Sequence, residues 1–160
     1  MEIFCTLFFF LIMSKLTKPI SFANTLEIVL FVTRADSFLM LRKKHPEIVS
    51  EAWDLPSGTL QNAESIAAGA KRIAQETLAL DLKKFSILSF ADPIESTGFS
   101  YSVGILVDTY AGAPVIGDTK TFEEIRFFTE VDMPDDMTPR AVQVIENKLL
   151  GSIHSLNRSE

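Results

Sequence analysis

WDLPSGTLQNAESIAAGAKRIAQETLAL, residues 53–80, reads as a tight loop that feeds an amphipathic helix. Pro56, Ser57 and Gly58 supply the turn, since proline fixes φ and glycine tolerates a close backbone approach. Beyond it, Ile66, Ala70, Ile73, Ala74 and Thr77 recur at i, i+4, i+7, i+8 and i+11, which puts them in one stripe of a helix. Glu64, Lys71, Arg72, Gln75 and Glu76 occupy the remainder, so one side packs and the other carries charge. Asn62 is the expected N-cap, with Glu64 and Ser65 in the first turn, and the pattern ends at about Leu78.

Strand signals lie on both sides of this unit. Leu26 to Thr33, LEIVLFVT, is rich in aliphatic and β-branched residues; Arg34 to Ser37 makes a turn, and Phe38 to Lys43 returns, giving a hairpin. Lys44 to Ala52 holds Pro46 and several charges and reads as a loop that delivers Trp53 and Leu55 to the core. Phe85 to Phe90, Ser102 to Tyr110 and Phe122 to Phe128 are further strands, joined by loops at Asp92, Pro93 and Gly98 and at Gly112 to Gly117. Met137 to Leu150 forms a final amphipathic helix, started by Thr138 before Pro139 and stopped by Gly151. Strand pairs, a helix, more strands and a terminal helix predict an α/β fold with helices packed on a mixed sheet.

The spacing inside residues 53–80 is more specific than its periodicity. Gly58 is followed after five residues by Glu64, after seven more by Arg72, and one turn later by Glu76. This resembles the Nudix box, G, five residues, E, seven residues, R-E-U-x-E-E-x-G-U, where U is a bulky aliphatic residue. Two glutamates of the R-E-U-x-E-E part are Ile73 and Thr77 here, and the late glycine is Ala79. A second segment, Phe122-Glu123-Glu124-Ile125-Arg126-Phe127-Phe128 leading to Asp132-Met133-Pro134, is similar to the family's E-x-x-W/F-F and D-E-L-P stretch ahead of the terminal helix. The resemblance implies the Nudix α/β/α sandwich over residues 23–153, between an apolar extension at 1–22 and a polar tail at 154–160.

It also implies a chemistry. In the family, box carboxylates hold Mg²⁺, or Mn²⁺ in its place, against a substrate diphosphate and orient water for attack at phosphorus. By that resemblance the carbonyl of Ser57 and the carboxylate of Glu76 are the metal ligands, Gly58 permits the turn, and Glu64 pairs with Arg72 to fix loop to helix. Arg72 also counts as a substrate-facing cation. Glu124 is the candidate catalytic acid from outside the box, with Glu123, Asp54, Asp92 and Glu95 as further acids that could complete the site. Trp53 reads as a core anchor or as the wall of a base pocket. Phe127 and Phe128 cannot point the same way on a strand, which makes Phe127 a candidate for the ligand cleft. With a single box acid left, the expectation is a hydrolase of the pyrophosphate bond in a nucleoside diphosphate linked to another moiety, reduced in activity. The alternative is an inactive Nudix-fold module that binds a nucleotide or a protein. Homodimerisation is common for the fold.

A chain of 160 residues suits one domain with one sizeable core. Its net charge of −6 argues against non-specific binding to nucleic acid polymers, which need a surplus of Lys and Arg. The lone Cys5 has no internal partner, and a reducing, cytoplasmic setting is the default reading. Ile3 to Met13, IFCTLFFFLIM, falls well short of the roughly 20 apolar residues needed to span a bilayer. Three readings of it stay open: a signal peptide, a true start at Met13, or a membrane-associating or partner-binding tail.

Overall fold

The computed structural model describes residues 25–93, 100–151 and 154–155. Its sheet is organised around β1 (Leu26–Arg34), whose apolar run is continuous because both of its faces are covered. Ile28, Leu30 and Val32 are buried on one side; Val29 and Phe31 are buried on the other. β2 (Ser37–Lys43) returns through a two-residue turn in which Ala35 takes a left-handed φ of 52°. After a single 3₁₀ turn at Val49–Glu51 come β3 (Trp53–Asp54) and β4 (Ser57–Thr59), then α1 (Ile66–Leu78), β5 (Asp81–Ala91), β6 (Tyr101–Ala111), β7 (Phe122–Phe128), α2 (Pro139–Leu149) and β8 (His154–Ser155).

The strand order is β3-β2-β1-β6-β5-β8, with β4 added on β1 and β7 on β2. β1 runs parallel to β6, and β8 parallel to β5, while the other pairings are antiparallel. This is a mixed sheet between two helices, an α/β sandwich with two cores. α1 closes the first over Ile28, Leu30, Leu39, Leu41, Val103 and Ile105. α2 closes the second over Val29, Phe31, Met40, Trp53, Leu55 and Phe128.

Several local expectations shift. The N-cap of α1 is Ser65, whose Oγ accepts from the Ala68 amide at 3.1 Å, and not Asn62. Ala63 sits at φ 62°, so the chain cannot already be helical there, and the helix starts only after that kink. β5 begins at Asp81, earlier than Phe85, because the left-handed Ala79 turns the chain straight from α1 into the sheet and Leu82 enters the first core. α2 is capped by Thr138 as anticipated, its Oγ1 accepting from the Ala141 amide at 3.2 Å. His154 and Ser155, read as the start of a polar tail, pair with Phe90 and Ala91. The apolar N-terminal segment, Glu95, Gly98 and residues 156–160 lie outside the described residues. Among the described residues no helix is long and apolar enough to cross a membrane.

Candidate functional site

The loop and helix of the box are joined by one arginine. Arg72 donates Nε to Glu64 Oε1 and Nη2 to Glu64 Oε2, each at 2.8 Å, which is the two-pronged geometry a guanidinium offers a carboxylate. The same Nη2 reaches the carbonyl of Thr59 in β4 at 3.0 Å, and Nη1 reaches Glu76 Oε2 at 3.0 Å. Glu64 also accepts from the Gln61 amide at 3.0 Å. Hydrogen bonds from Arg72 and from that amide hold the Glu64 carboxyl well below its usual range, at about 2. Arg72 therefore ties β4, the connecting turn and α1 into one unit.

The three helix positions that carry glutamates in the family's box diverge in their surroundings. Ile73 is 1 % exposed and belongs to the first core. Its Cγ1 lies 2.9 Å from where a β-carbon on Gly58 would stand, so the side chain fills the space that glycine leaves open. Glu76 is 58 % exposed and is held by Arg72. Thr77 turns its hydroxyl back to donate to the Ile73 carbonyl at 2.7 Å. On the far side, Gly117 donates its amide to the Thr77 carbonyl at 2.8 Å, and Val115 does the same to Leu78 at 3.0 Å. The loop after β6 is thus docked on the last turn of α1, and a β-carbon on Gly117 would fall 1.8 Å from the Glu76 carbonyl oxygen.

The acids and aromatics from outside the box do not converge on Glu76. Glu124 pairs with Arg42 in the β2–β7 register, while its neighbours Ile125 and Phe127 pair with Leu41 and Leu39 and pack on the first core. Alternation along β7 turns Glu124 to the other face of the sheet, away from α1. Glu123 bonds Arg42 at 3.2 Å on the surface. Phe127 is half-buried beneath the Arg34 guanidinium, 3.7 Å from its ring centre. Trp53 is 7 % exposed and meets Phe128 edge to face at 4.8 Å in the second core, which makes it an anchor and leaves little of it for a base. Ser57 sits in β4 opposite Val29. Among the described residues, no three His, Cys, Asp or Glu side chains come together in a group that could hold a metal ion.

A different group of polar residues does converge, and most of it went unmarked in the sequence. A cavity of about 400 Å³ opens between the 3₁₀ turn and the first turn of α2, lined by Lys43, His45, Asp54, Thr121, Thr138 and Arg140 among others. Mutual backbone bonds, Trp53 amide to Asp136 and Thr138 amide to Trp53, fasten β3 to the start of α2 and fix this opening. Asp54 accepts from the Thr138 hydroxyl at 2.8 Å and the Leu55 amide at 2.9 Å, and pairs with Lys43 at 3.3 Å. Burial pushes its carboxyl up, against the pull of Lys43 and Thr138. Arg140 is paired with Glu27, and its Nη2 is buried without a hydrogen-bond partner among the described residues. The Thr138-Pro139 helix start was the signal that could have placed Arg140 in that first turn.

The arrangement of box loop, clamped helix and two-cored mixed sheet agrees with a family model: the NUDIX domain model matches residues 24–148. This chain belongs to the NUDIX family. Its structure is similar to that of a MutT NUDIX hydrolase from Burkholderia pseudomallei, at 21 % identity and a TM-score of 0.70, covering 77 % of this chain and 96 % of that one. It is also similar to the NUDIX domain of Shewanella oneidensis NrtR complexed with ADP ribose, at 21 % identity and a TM-score of 0.64, covering 87 % and 97 %. The E. coli ORF135 protein superposes at 12 % identity with a TM-score of 0.66, over 79 % and 89 %. At such identities the likeness speaks to the fold. No curated protein matches the chain by sequence comparison.

Members of the NUDIX family generally use a divalent metal, and the residues present here do not fit one. A hard dication wants several oxygen ligands, and Mg²⁺ wants them in an octahedron. Of the three box-helix positions, one is a buried hydrocarbon, one is a hydroxyl spent on its own helix, and one is a lone carboxylate with one oxygen hydrogen-bonded to Arg72.

Proposed function

We propose that this NUDIX domain binds a nucleotide or a nucleoside diphosphate linked to another moiety, as a recognition module with little or no hydrolysis of the pyrophosphate bond. The observation that carries this reading is the contrast between the two halves of the box. The architectural half, Gly58, Glu64 and Arg72, keeps a complete hydrogen-bonded clamp. The half that would do chemistry retains Glu76 alone. The cavity beside α2, lined by Lys43, His45, Asp54, Thr138 and Arg140 among others, is of a size for a small polar ligand, and Arg140 Nη2 is a donor without a partner among the described residues. A NUDIX domain of similar fold is known in complex with ADP ribose, which makes that compound a suitable first probe.

A second reading, a slow pyrophosphohydrolase dependent on Mg²⁺ or Mn²⁺, is favoured by the exposure of Glu76, which stays accessible on the helix surface. Calorimetric titration of the full chain with ADP ribose, nucleoside triphosphates and nucleoside diphosphate sugars, with released phosphate or nucleoside monophosphate assayed in the same samples, separates the two. Binding without product supports a recognition module. Turnover that scales with metal supports the hydrolase, and no binding across the panel sinks both.

A further inference from the structure

We infer that this chain has exchanged metal coordination at the box helix for packing, so that its loop, helix and ligand are held without a divalent cation. The inference rests on the nucleotide-binding reading for the identity of the ligand, but its metal half stands on contacts of the chain alone.

Three contacts hold together what a metal would otherwise bridge. Ile73 fills the space over Gly58, joining helix to loop by apolar contact that is sealed from water. Gly117 and Val115 occupy the carbonyls of Thr77 and Leu78, bringing the loop after β6 onto the last turn of α1, with Ile116 packed against the first core. Arg72 spans Glu64, Thr59 and Glu76. Nothing in this set needs a cation, and two parts of it oppose one. The Ile73 side chain would have to leave the core to make room for a ligand oxygen. The Arg72 guanidinium, 3.0 Å from Glu76, repels a dication approaching the one remaining acid. Of the side-chain oxygens left at positions 76 and 77, Glu76 Oε2 accepts from Arg72 and Thr77 Oγ1 is turned to the Ile73 carbonyl, which leaves a single exposed carboxylate oxygen, too few for a hard dication. Packing at 73 and loop docking at 117 are independent features of the chain, and both point to a box that is closed.

The test uses the full chain. Manganese is titrated against the protein without nucleotide and free Mn²⁺ is read by electron paramagnetic resonance; separately, ADP ribose is titrated calorimetrically in MgCl₂ and in EDTA. The free Mn²⁺ signal should fall no more than in a matched solution of Glu76→Gln protein, and the ADP ribose affinity should agree within about twofold between the two buffers. Saturable Mn²⁺ uptake that Glu76→Gln abolishes overturns the inference, as does ADP ribose binding weakened about tenfold or more in EDTA. If ADP ribose binds in neither buffer, that ligand assignment fails while the Mn²⁺ titration still decides the metal. An Ile73→Glu, Thr77→Glu double variant gives a further check: it should melt below the wild type and release no product, whereas a gain of metal-dependent turnover would show a latent site and defeat the exchange.

Discussion

Ile73 and Gly58 touch through an absent atom: a β-carbon on the glycine would lie 2.9 Å from Ile73 Cγ1 and 3.1 Å from its Cδ1. Both carbons belong to a side chain locked in the first core, so they cannot swing aside without opening the packing around them. Gly58→Ala should therefore destabilise the fold by about 1–3 kcal/mol, the usual cost of overpacking. Ile73→Ala alone should cost about 2–5 kcal/mol through the void it leaves. Because each change relieves the other's defect, the double variant should lose less than the sum, with a favourable coupling measurable by chemical denaturation.

A stricter constraint applies at Gly117. Its missing β-carbon would meet the backbone of Glu76, 1.8 Å from the oxygen and 2.9 Å from the carbon, and a backbone carbonyl in the last turn of α1 cannot swing aside as a side chain can. Gly117→Ala should lift residues 112–117 from α1 and break the bonds from Gly117 to Thr77 and from Val115 to Leu78. Amide exchange at Val115 should accelerate in the variant far more than at Ile105 in the buried sheet. Equal acceleration at both would mean general destabilisation and no specific docking.

The Arg72 clamp should give the protein an acid-sensitive hinge. The folded Glu64 carboxyl is held at about 2, below its ordinary 4.5, chiefly by hydrogen bonds from Arg72. A lowered folded pKa contributes stability that is complete above 4.5 and disappears as pH falls toward 2. Melting temperatures of Glu64→Gln and wild type should differ most at neutral pH and converge across that window. A constant difference down to pH 2 would show that the pair does not carry the effect.

Much of this architecture was open to reading from the chain. The run Leu26 to Thr33 announced a strand, and Phe122 to Phe128 matched β7 residue for residue, because apolar content and turn residues bounded both. What pattern could not convey was direction. A sheet with a core on each face lets Phe127 and Phe128 both pack, one per side, Phe128 buried and Phe127 half-buried. The same two-faced sheet turns Glu124 away from α1, a fact that depends on pairing register and on the irregularity beside Arg42 and Lys43. Glu64 and Arg72 were legible through the box spacing they match, although Glu64 lies in the turn ahead of α1, whereas Asp54, Thr138 and Arg140 are far apart in sequence and meet only through β3 and the start of α2.

That meeting makes Asp54 a second titrating group of opposite sense. Burial raises its folded pKa above 3.8, so its contribution to stability is complete below 3.8 and declines as pH rises through the folded value. Asp54→Asn keeps an acceptor for Thr138 and Leu55 and removes the charge. Relative to wild type its unfolding free energy should move in the variant's favour between pH 3.8 and neutrality, as read by urea denaturation at several pH values. Movement in the wild type's favour would mean that the Lys43 ion pair outweighs the burial. Thr138→Val should be harmful at any pH, by about 0.5–2 kcal/mol for the lost N-cap, because it also strips Asp54 of a donor.

Ala79 offers the cleanest gain. It ends α1 at φ 56° and ψ 31°, with its own amide bonded to Gln75 and the Leu80 amide bonded to Ala74, the arrangement in which glycine is the usual residue. An alanine there crowds its β-carbon against the neighbouring carbonyl, at a cost of roughly 1–2 kcal/mol. Glycine removes the strain but widens the unfolded ensemble, which returns roughly 0.4–1 kcal/mol of the gain. Ala79→Gly should therefore stabilise the domain by up to about 1.6 kcal/mol, the largest difference of those two contributions. A melting temperature that rises while ADP ribose affinity stays constant would place the strain in the cap and outside any ligand site. A fall would mean that the Ala79 methyl makes a packing contact worth more than the strain it carries.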